Sequence, residues 1–356
     1  MQKTIVSERV LLAFLVVIVV FLSTRSMPIY GETGDGILPM KARAEIIDQL
    51  LATRLQKLPA QLMRSEGIAM WVLIAREYNE DPVVKTLLPP TWLNARRRTI
   101  LVFYRNKEQN TLERLAVARY DVGANITSSW DKEKQPNQWK RLVEIIKERP
   151  VEKIGINISK HFGIADGLVK TDYQELMEAL PSDLEEKIVS AEKLAIAWIE
   201  TRTEKEMLLY NQLVDITSAI IDQAFSAAVI TPGKTTTDDI VWWMRQKVTS
   251  LGLETWFHPT IDVQRNNEAL QSHIYSFSKG EKQKTVLPGD LLHCDFGITY
   301  ISLNTDCQRH AYVLRNGETQ VPEFLASAFA KGNQVQDIFT GNFKTGSTGN
   351  QILAKS

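Results

Sequence analysis

The sequence predicts an α/β domain followed by a second, α+β domain, and three observations lead there. Short apolar runs alternate with helically spaced segments through the first half, which is the pattern of strands and helices taken in turn. Two capped amphipathic helices then precede a pair of strands. The chain has 356 residues, 44% hydrophobic and 24% charged, enough apolar material for two domains of ordinary size. Lys plus Arg and Asp plus Glu are 42 each, a formal net charge of zero. That balance argues against a nucleic-acid partner, which leaves a basic surplus.

The first thirty residues stand apart. Lys3 and Arg9 precede an unbroken apolar run from Val10 to Leu22, and Ser23 to Gly31 turns polar. Charged start, short apolar core and small-residue exit are the layout of an export signal, here residues 1–31. The run is short for a membrane span, which needs about 20 apolar residues, and it lacks the polar face of a core helix. Ile29-Tyr30-Gly31 is the best cleavage site, so an uncleaved membrane anchor through residues 10–22 is the alternative to a periplasmic or secreted protein.

From Met40 to Arg64 the spacing of Ile46, Leu50, Leu51, Leu55 and Leu58 predicts a helix. Ile68–Ile74, Thr99–Tyr104, Leu115–Tyr120 and Lys153–Ile158 read as strands, and Trp139–Lys147 as a helix. This first domain occupies residues 40–185. The second, residues 195–356, opens with a helix over Thr201–Val229, for which Thr201 and Glu204 have the spacing of a capping box. Thr231-Pro232-Gly233 ends it. A helix over Thr236–Leu251 is capped by Thr236 or Thr237 and closed by Gly252. Leu291–Ile298 and Cys307–Leu314 read as strands, and Pro322–Gln336 and Gly349–Lys355 as helical.

Chemistry concentrates in Leu291-Leu292-His293-Cys294-Asp295-Phe296-Gly297-Ile298. Alternation puts Leu292, Cys294, Phe296 and Ile298 on one face, and His293, Asp295 and Gly297 on the other. An aspartate in mid-strand is unusual, and a buried carboxylate needs a partner. Asn304-Thr305-Asp306-Cys307 follows after a turn. If the strands pair with Asp295 opposite Asp306, both carboxylates enter one cleft with Cβ atoms ~5 Å apart. Such a pair repels unless a cation or a proton lies between, and bridged metals ~3.5–4 Å apart suit it. On spacing alone, a turn cap at Asp306 and an Asp295–Arg309 ion pair stay open. The same register would set Cys294 opposite Cys307, about 4 Å apart at Cβ as a disulfide requires; two free buried thiols are the reading preferred, and the disulfide is the alternative.

Pro288 to Gly297 with Asn304-Thr305-Asp306 resembles the first two metal-ligand segments of the pita-bread metallopeptidases, the family of methionine aminopeptidase, Xaa-Pro aminopeptidase, prolidase and the non-metal enzyme creatinase. Glu200 to Glu206 is similar to the opening of that catalytic domain. The resemblance implies a creatinase-type N-terminal α/β domain followed by the first half of an α+β pita-bread catalytic domain. It implies hydrolysis of the bond after an N-terminal residue, often one before proline, by a hydroxide on two divalent metals, manganese first with cobalt or zinc as alternatives. It also implies a peptide substrate and allows a homodimer. Of the five ligands in that family, Asp295 and Asp306 match the first two. No histidine follows His310, and Glu318 and Glu323 come too soon to match the glutamates. The expectation is therefore a truncated chain, inactive alone. His273 matches the upstream active-site histidine at a longer spacing. A creatinase-like or non-catalytic relative that binds a small amine or peptide without metal is the rival reading.

His293 and His310 share the aspartates' strand faces and read as hydrogen-bond partners, or as the rest of a makeshift one-metal site. Trp242 and Trp243 read as helix core and rim, and His258 and His161 as surface residues. Asp295-Phe296-Gly297 also spells a kinase metal motif, but no Gly-rich loop or His-Arg-Asp loop precedes it.

Overall fold

The computed structural model describes residues 36–265 and 284–356. The predicted leader, residues 1–31, and His273 lie outside the described residues. Residues 41–356 form one compact unit. Among the described residues no helix is long and apolar enough to cross a membrane.

The elements run α1 (Met40–Lys57), α2 (Pro59–Ser65), β1 (Met70–Arg76), α3 (Pro82–Lys85), β2 (Arg98–Asn106), β3 (Thr111–Val117), β4 (Thr127–Ser128), α4 (Gln138–Lys147), β5 (Ile154–Ile156), α5 (Lys170–Ala179), α6 (Ser182–Glu185), β6 (Ile188–Ser190) and α7 (Glu192–Glu200). There follow α8 (Glu204–Ala224), α9 (Thr237–Ser250), β7 (Thr260–Gln264), β8 (Leu291–Phe296), β9 (Thr299–Tyr300), β10 (Leu303–Asn304), β11 (Cys307–Tyr312), α10 (Glu323–Gly341) and α11 (Gly349–Leu353). The helix expected over residues 40–64 is two helices, because Pro59 supplies no N–H to continue the first and instead starts the second.

The first sheet has six strands in the order β4-β3-β2-β1-β5-β6. β1, β2 and β3 pair antiparallel, while β5 and β6 join parallel. Helices cover both faces, which explains why β1 and β2 are apolar on both sides. Trp71, Leu73, Leu101 and Phe103 pack with Leu55, Met63 and Trp198 on one face. Met70, Val72, Ile74, Ile100 and Val102 pack with Leu142, Ile145 and Ile146 of α4 on the other.

A second, three-stranded sheet has the order β11-β8-β7, all antiparallel. α8 packs on β8 and β11, and α9 on α8 and β7. The buried layer includes Leu213, Ile216, Ile220 and Ile221 of α8, Ile240 and Met244 of α9, and Leu292, Cys294 and Phe296 of β8. The capping box on α8 is Thr203 with Glu206, two residues beyond the expected Thr201 and Glu204. The box on α9 is Thr236 with Asp239, and Gly252 leaves that helix at φ +63°. The two sheets are bridged through Arg54 of α1. Its guanidinium meets the Glu206 carboxylate at 3.0 Å, donates to the Thr201 and Trp198 carbonyls and lies 4.4 Å from the Trp198 ring centroid. α10 has no buried residue, and Phe324, Phe329, Val335 and Ile338 are exposed along it.

Candidate metal centre

The site is built on a hairpin whose register is set by its turn. Ile301 and Ser302 both adopt positive φ, 52° and 61°. A two-residue turn with both residues left-handed has the twist that joins antiparallel strands tightly. With that turn as centre, Tyr300 pairs with Leu303, Thr299 with Asn304, Phe296 with Cys307 and Asp295 with Gln308. The expected pairing of Asp295 with Asp306 is therefore two residues out. Because strand faces repeat every two residues, a two-residue slip preserves the face. Asp295 and Asp306 become diagonal neighbours, close enough for the Asp306 carboxyl group to raise the pKa of Asp295.

Register also decides the cysteines. Cys294 lies opposite Arg309 and Cys307 opposite Phe296, and both cysteines are free thiols. Burial, reinforced by the nearby Asp295, pushes the Cys294 thiol up to about 12. Arg309 turns away from Asp295: it donates to Ser218 Oγ and to the Gln308 carbonyl, so the alternative Asp295–Arg309 pair does not form.

Neighbouring groups hold the two aspartates in place. Gly297 sits where any side chain would strike the backbone: a Cβ there would be 2.0 Å from the Thr305 carbonyl oxygen and 2.7 Å from Trp256 Nε1. Trp256 Nε1 donates to that same carbonyl at 2.7 Å. The Thr305 hydroxyl accepts from the Ile298 N–H at 3.0 Å and hydrogen-bonds Thr217 of α8 at 2.8 Å. Thr305 is thus clamped on three sides, which fixes the chain entering Asp306.

Electrostatics at the pair are unfavourable as they stand. Asp295 Oδ1 is buried without a hydrogen-bond partner. Desolvation comes first in raising the Asp295 pKa, followed by the charge and the polar influence of the Asp306 carboxyl group, while His293 opposes them. Asp262 of β7, paired in register with His293, adds a further acidic influence on Asp295. His293 Nε2 lies 3.0 Å from Gln308 Oε1, and Nδ1 lies 3.7 Å from Asp262. His310 stands beside His293 with ring centroids 5.0 Å apart, and burial holds its pKa below the usual imidazole value. Among the described residues no group of three or more His, Cys, Asp or Glu is placed to hold a metal ion, so the makeshift site from His293 and His310 is not formed.

Asp262, Trp256 and Thr217 were missed by the sequence reading. Ile261 and Val263 alternate with polar neighbours and were the available signal for β7. Trp242 is exposed and edge-on to His258, whose Nδ1 meets Arg245 at 3.1 Å; both stay outside the site.

This architecture, a six-stranded α/β part followed by a smaller antiparallel sheet with its helices, shares its fold with solved Xaa-Pro peptidase structures. Among the solved structures, X-Pro aminopeptidase from Thermotoga maritima MSB8 is similar with a TM-score of 0.56 and 15% identity, covering 82% of this chain and 74% of that one. Xaa-Pro dipeptidase from Bacillus anthracis gives 0.51 and 14%, covering 88% and 75%. Aminopeptidase P from E. coli in its low-pH form gives 0.51 and 11%, covering 75% and 62%. No protein-family model matches the sequence, and no curated protein does. At such identities the likeness concerns the fold; function has to be argued from the site.

Proposed function

We propose that this protein is a relative of the Xaa-Pro peptidases in which Asp295 and Asp306 form the carboxylate edge of a divalent-cation site. The observation that carries this reading is a buried Asp295 Oδ1 with no hydrogen-bond partner, on a carboxyl group whose pKa is raised by desolvation and by the charge of Asp306. Two neighbouring acidic groups, one of them partly desolvated, are stabilised by a shared positive charge. Their oxygens suit a hard or borderline divalent ion, manganese before cobalt or zinc.

Asp295 and Asp306 would hold the ion, and His293, fixed between Gln308 and Asp262, would orient a neighbouring polar group. A bound divalent ion supplies Lewis acidity toward a peptide carbonyl and lowers the pKa of water. The protein's own part is to keep both carboxylates at one point on a hairpin whose rear face is buried. The substrate in this reading is a peptide cut after its N-terminal residue, and His273 is the residue proposed to contact it. Export remains part of the proposal, on the strength of the leader pattern.

With two carboxylates on one face of the hairpin and no three-ligand group among the described residues, we expect this chain to bind manganese and to hydrolyse little. The test is isothermal titration with manganese chloride alongside hydrolysis of an Xaa-Pro tripeptide. Uptake that Asp306→Asn abolishes, with negligible turnover, is the expected result. No uptake would favour the metal-free, creatinase-like alternative, and robust turnover would contradict the expected inactivity.

A further inference from the structure

Far along the chain from the aspartate hairpin, Arg96, Arg97, Arg98 and Arg119 line one cavity of about 360 Å³ together with Trp92, Tyr120 and Trp130. That volume is in the range of small-molecule sites. In a regular strand successive side chains point to opposite faces, so three consecutive arginines would not share a cavity. Arg97 breaks the alternation with a φ of 58°, a conformation that a long side chain rarely adopts. Glu77 clamps the turn from behind: its N–H donates to the Arg97 carbonyl at 2.7 Å and its carboxylate accepts from the Arg97 N–H at 3.2 Å. Backbone strain of this kind, held by its surroundings, tends to occur where side chains are set for a ligand.

The charges are only partly compensated. Arg98 is committed to Asp172 at 2.9 Å and Glu175 at 2.5 Å. Arg96, Arg97 and Arg119 form no ion pair with any carboxylate among the described residues, and all three are exposed. Instead the Arg96 guanidinium lies 4.8 Å from the Trp92 ring centroid and 5.9 Å from that of Tyr120. Trp130 spends its indole N–H on the Gln135 carbonyl at 2.7 Å, which leaves its ring as a wall. Several guanidiniums facing one space repel each other, and a phosphate or similar anion removes that repulsion while taking paired N–H bonds from the planar forks. The flat walls call for a flat group beside the anion.

We propose that this cavity binds a phosphate monoester carried on a planar ring, in an aryl or nucleoside monophosphate. The site is independent of the aspartate hairpin and of any peptidase activity. Isothermal titration with phenyl phosphate and adenosine monophosphate tests it, with phenol, adenosine and inorganic phosphate as references. At least one monoester is expected to bind tenfold or more tightly than both its dephosphorylated counterpart and inorganic phosphate. Whichever binds separates the aryl source from the nucleoside one. Arg96→Gln and Arg119→Gln should each weaken it about tenfold with an unchanged thermal midpoint, since both side chains are exposed. Arg97→Gly, which keeps the turn without strain, should fold as well as the wild type and still lose affinity. Monoesters bound no better than inorganic phosphate, or equally by wild type and the double Arg96→Gln, Arg119→Gln variant, would overturn the assignment.

Discussion

At the scale of single residues the behaviour of the hairpin follows from which face each side chain takes. Cys294 is fully buried behind Asp295, and a thiol held at about 12 carries thiolate on roughly one molecule in ten thousand at pH 8. Raising a thiol's pKa lowers its reactive fraction at every pH below that value, so alkylation slows. Iodoacetamide at pH 8 should therefore label Cys294 at least a hundredfold more slowly in the folded chain than in urea, read by peptide mass spectrometry. Gly297 makes a second residue-scale prediction. Because a Cβ there would overlap the Thr305 carbonyl, Gly297→Ala must push apart the two strands that carry Asp295 and Asp306. A loss of about 3 kcal/mol in urea unfolding is expected, typical of forced backbone displacement; an unchanged midpoint would contradict the packing described.

At the scale of elements the sequence was most readable where one pattern repeated. The run Met70–Ala75 is apolar on both faces, and it became a central strand covered on both sides. The alternation in Leu291–Phe296 became a strand with Leu292, Cys294 and Phe296 buried and His293 and Asp295 half-buried. Register was not legible, because it depends on where the turn falls. Ile301-Ser302 carries none of the Asn or Gly that usually announce a left-handed turn, so the centre of the hairpin was misplaced and the cysteine pairing with it. The two aspartates kept a common face since the error was an even number of residues. The cap of α8 moved for another reason: Thr201 and Thr203 both fit the box, and Arg54 decides between them by seating its guanidinium on Glu206. Arg54→Ala leaves that carboxylate buried without its cation, which costs about 3 kcal/mol. Urea unfolding should show that loss, and a change under 1 kcal/mol would make the Arg54–Glu206 contact incidental.

At the scale of the whole molecule, an α/β sheet covered on both faces and a smaller antiparallel sheet backed by α8 and α9 share the fold of the Xaa-Pro peptidase structures. The exposed apolar side chains of α10 are large for a helix in contact with water, and such a face favours association with further protein surface. Within this frame the aspartate hairpin brings burial and like charge together at Asp295. A cation that binds the folded chain alone stabilises it by RT ln(1 + [L]/Kd), about 1.4 kcal/mol at ten times Kd. The most direct measurement is the thermal midpoint of wild type, Asp295→Asn and Asp306→Asn at pH 7, with and without manganese. Manganese should raise the wild-type midpoint by about 3 °C and leave both variants unmoved, with Asp295→Asn at least as stable as wild type in its absence. A wild-type midpoint indifferent to manganese, or an equal rise in all three proteins, would contradict a cation site at Asp295 and Asp306.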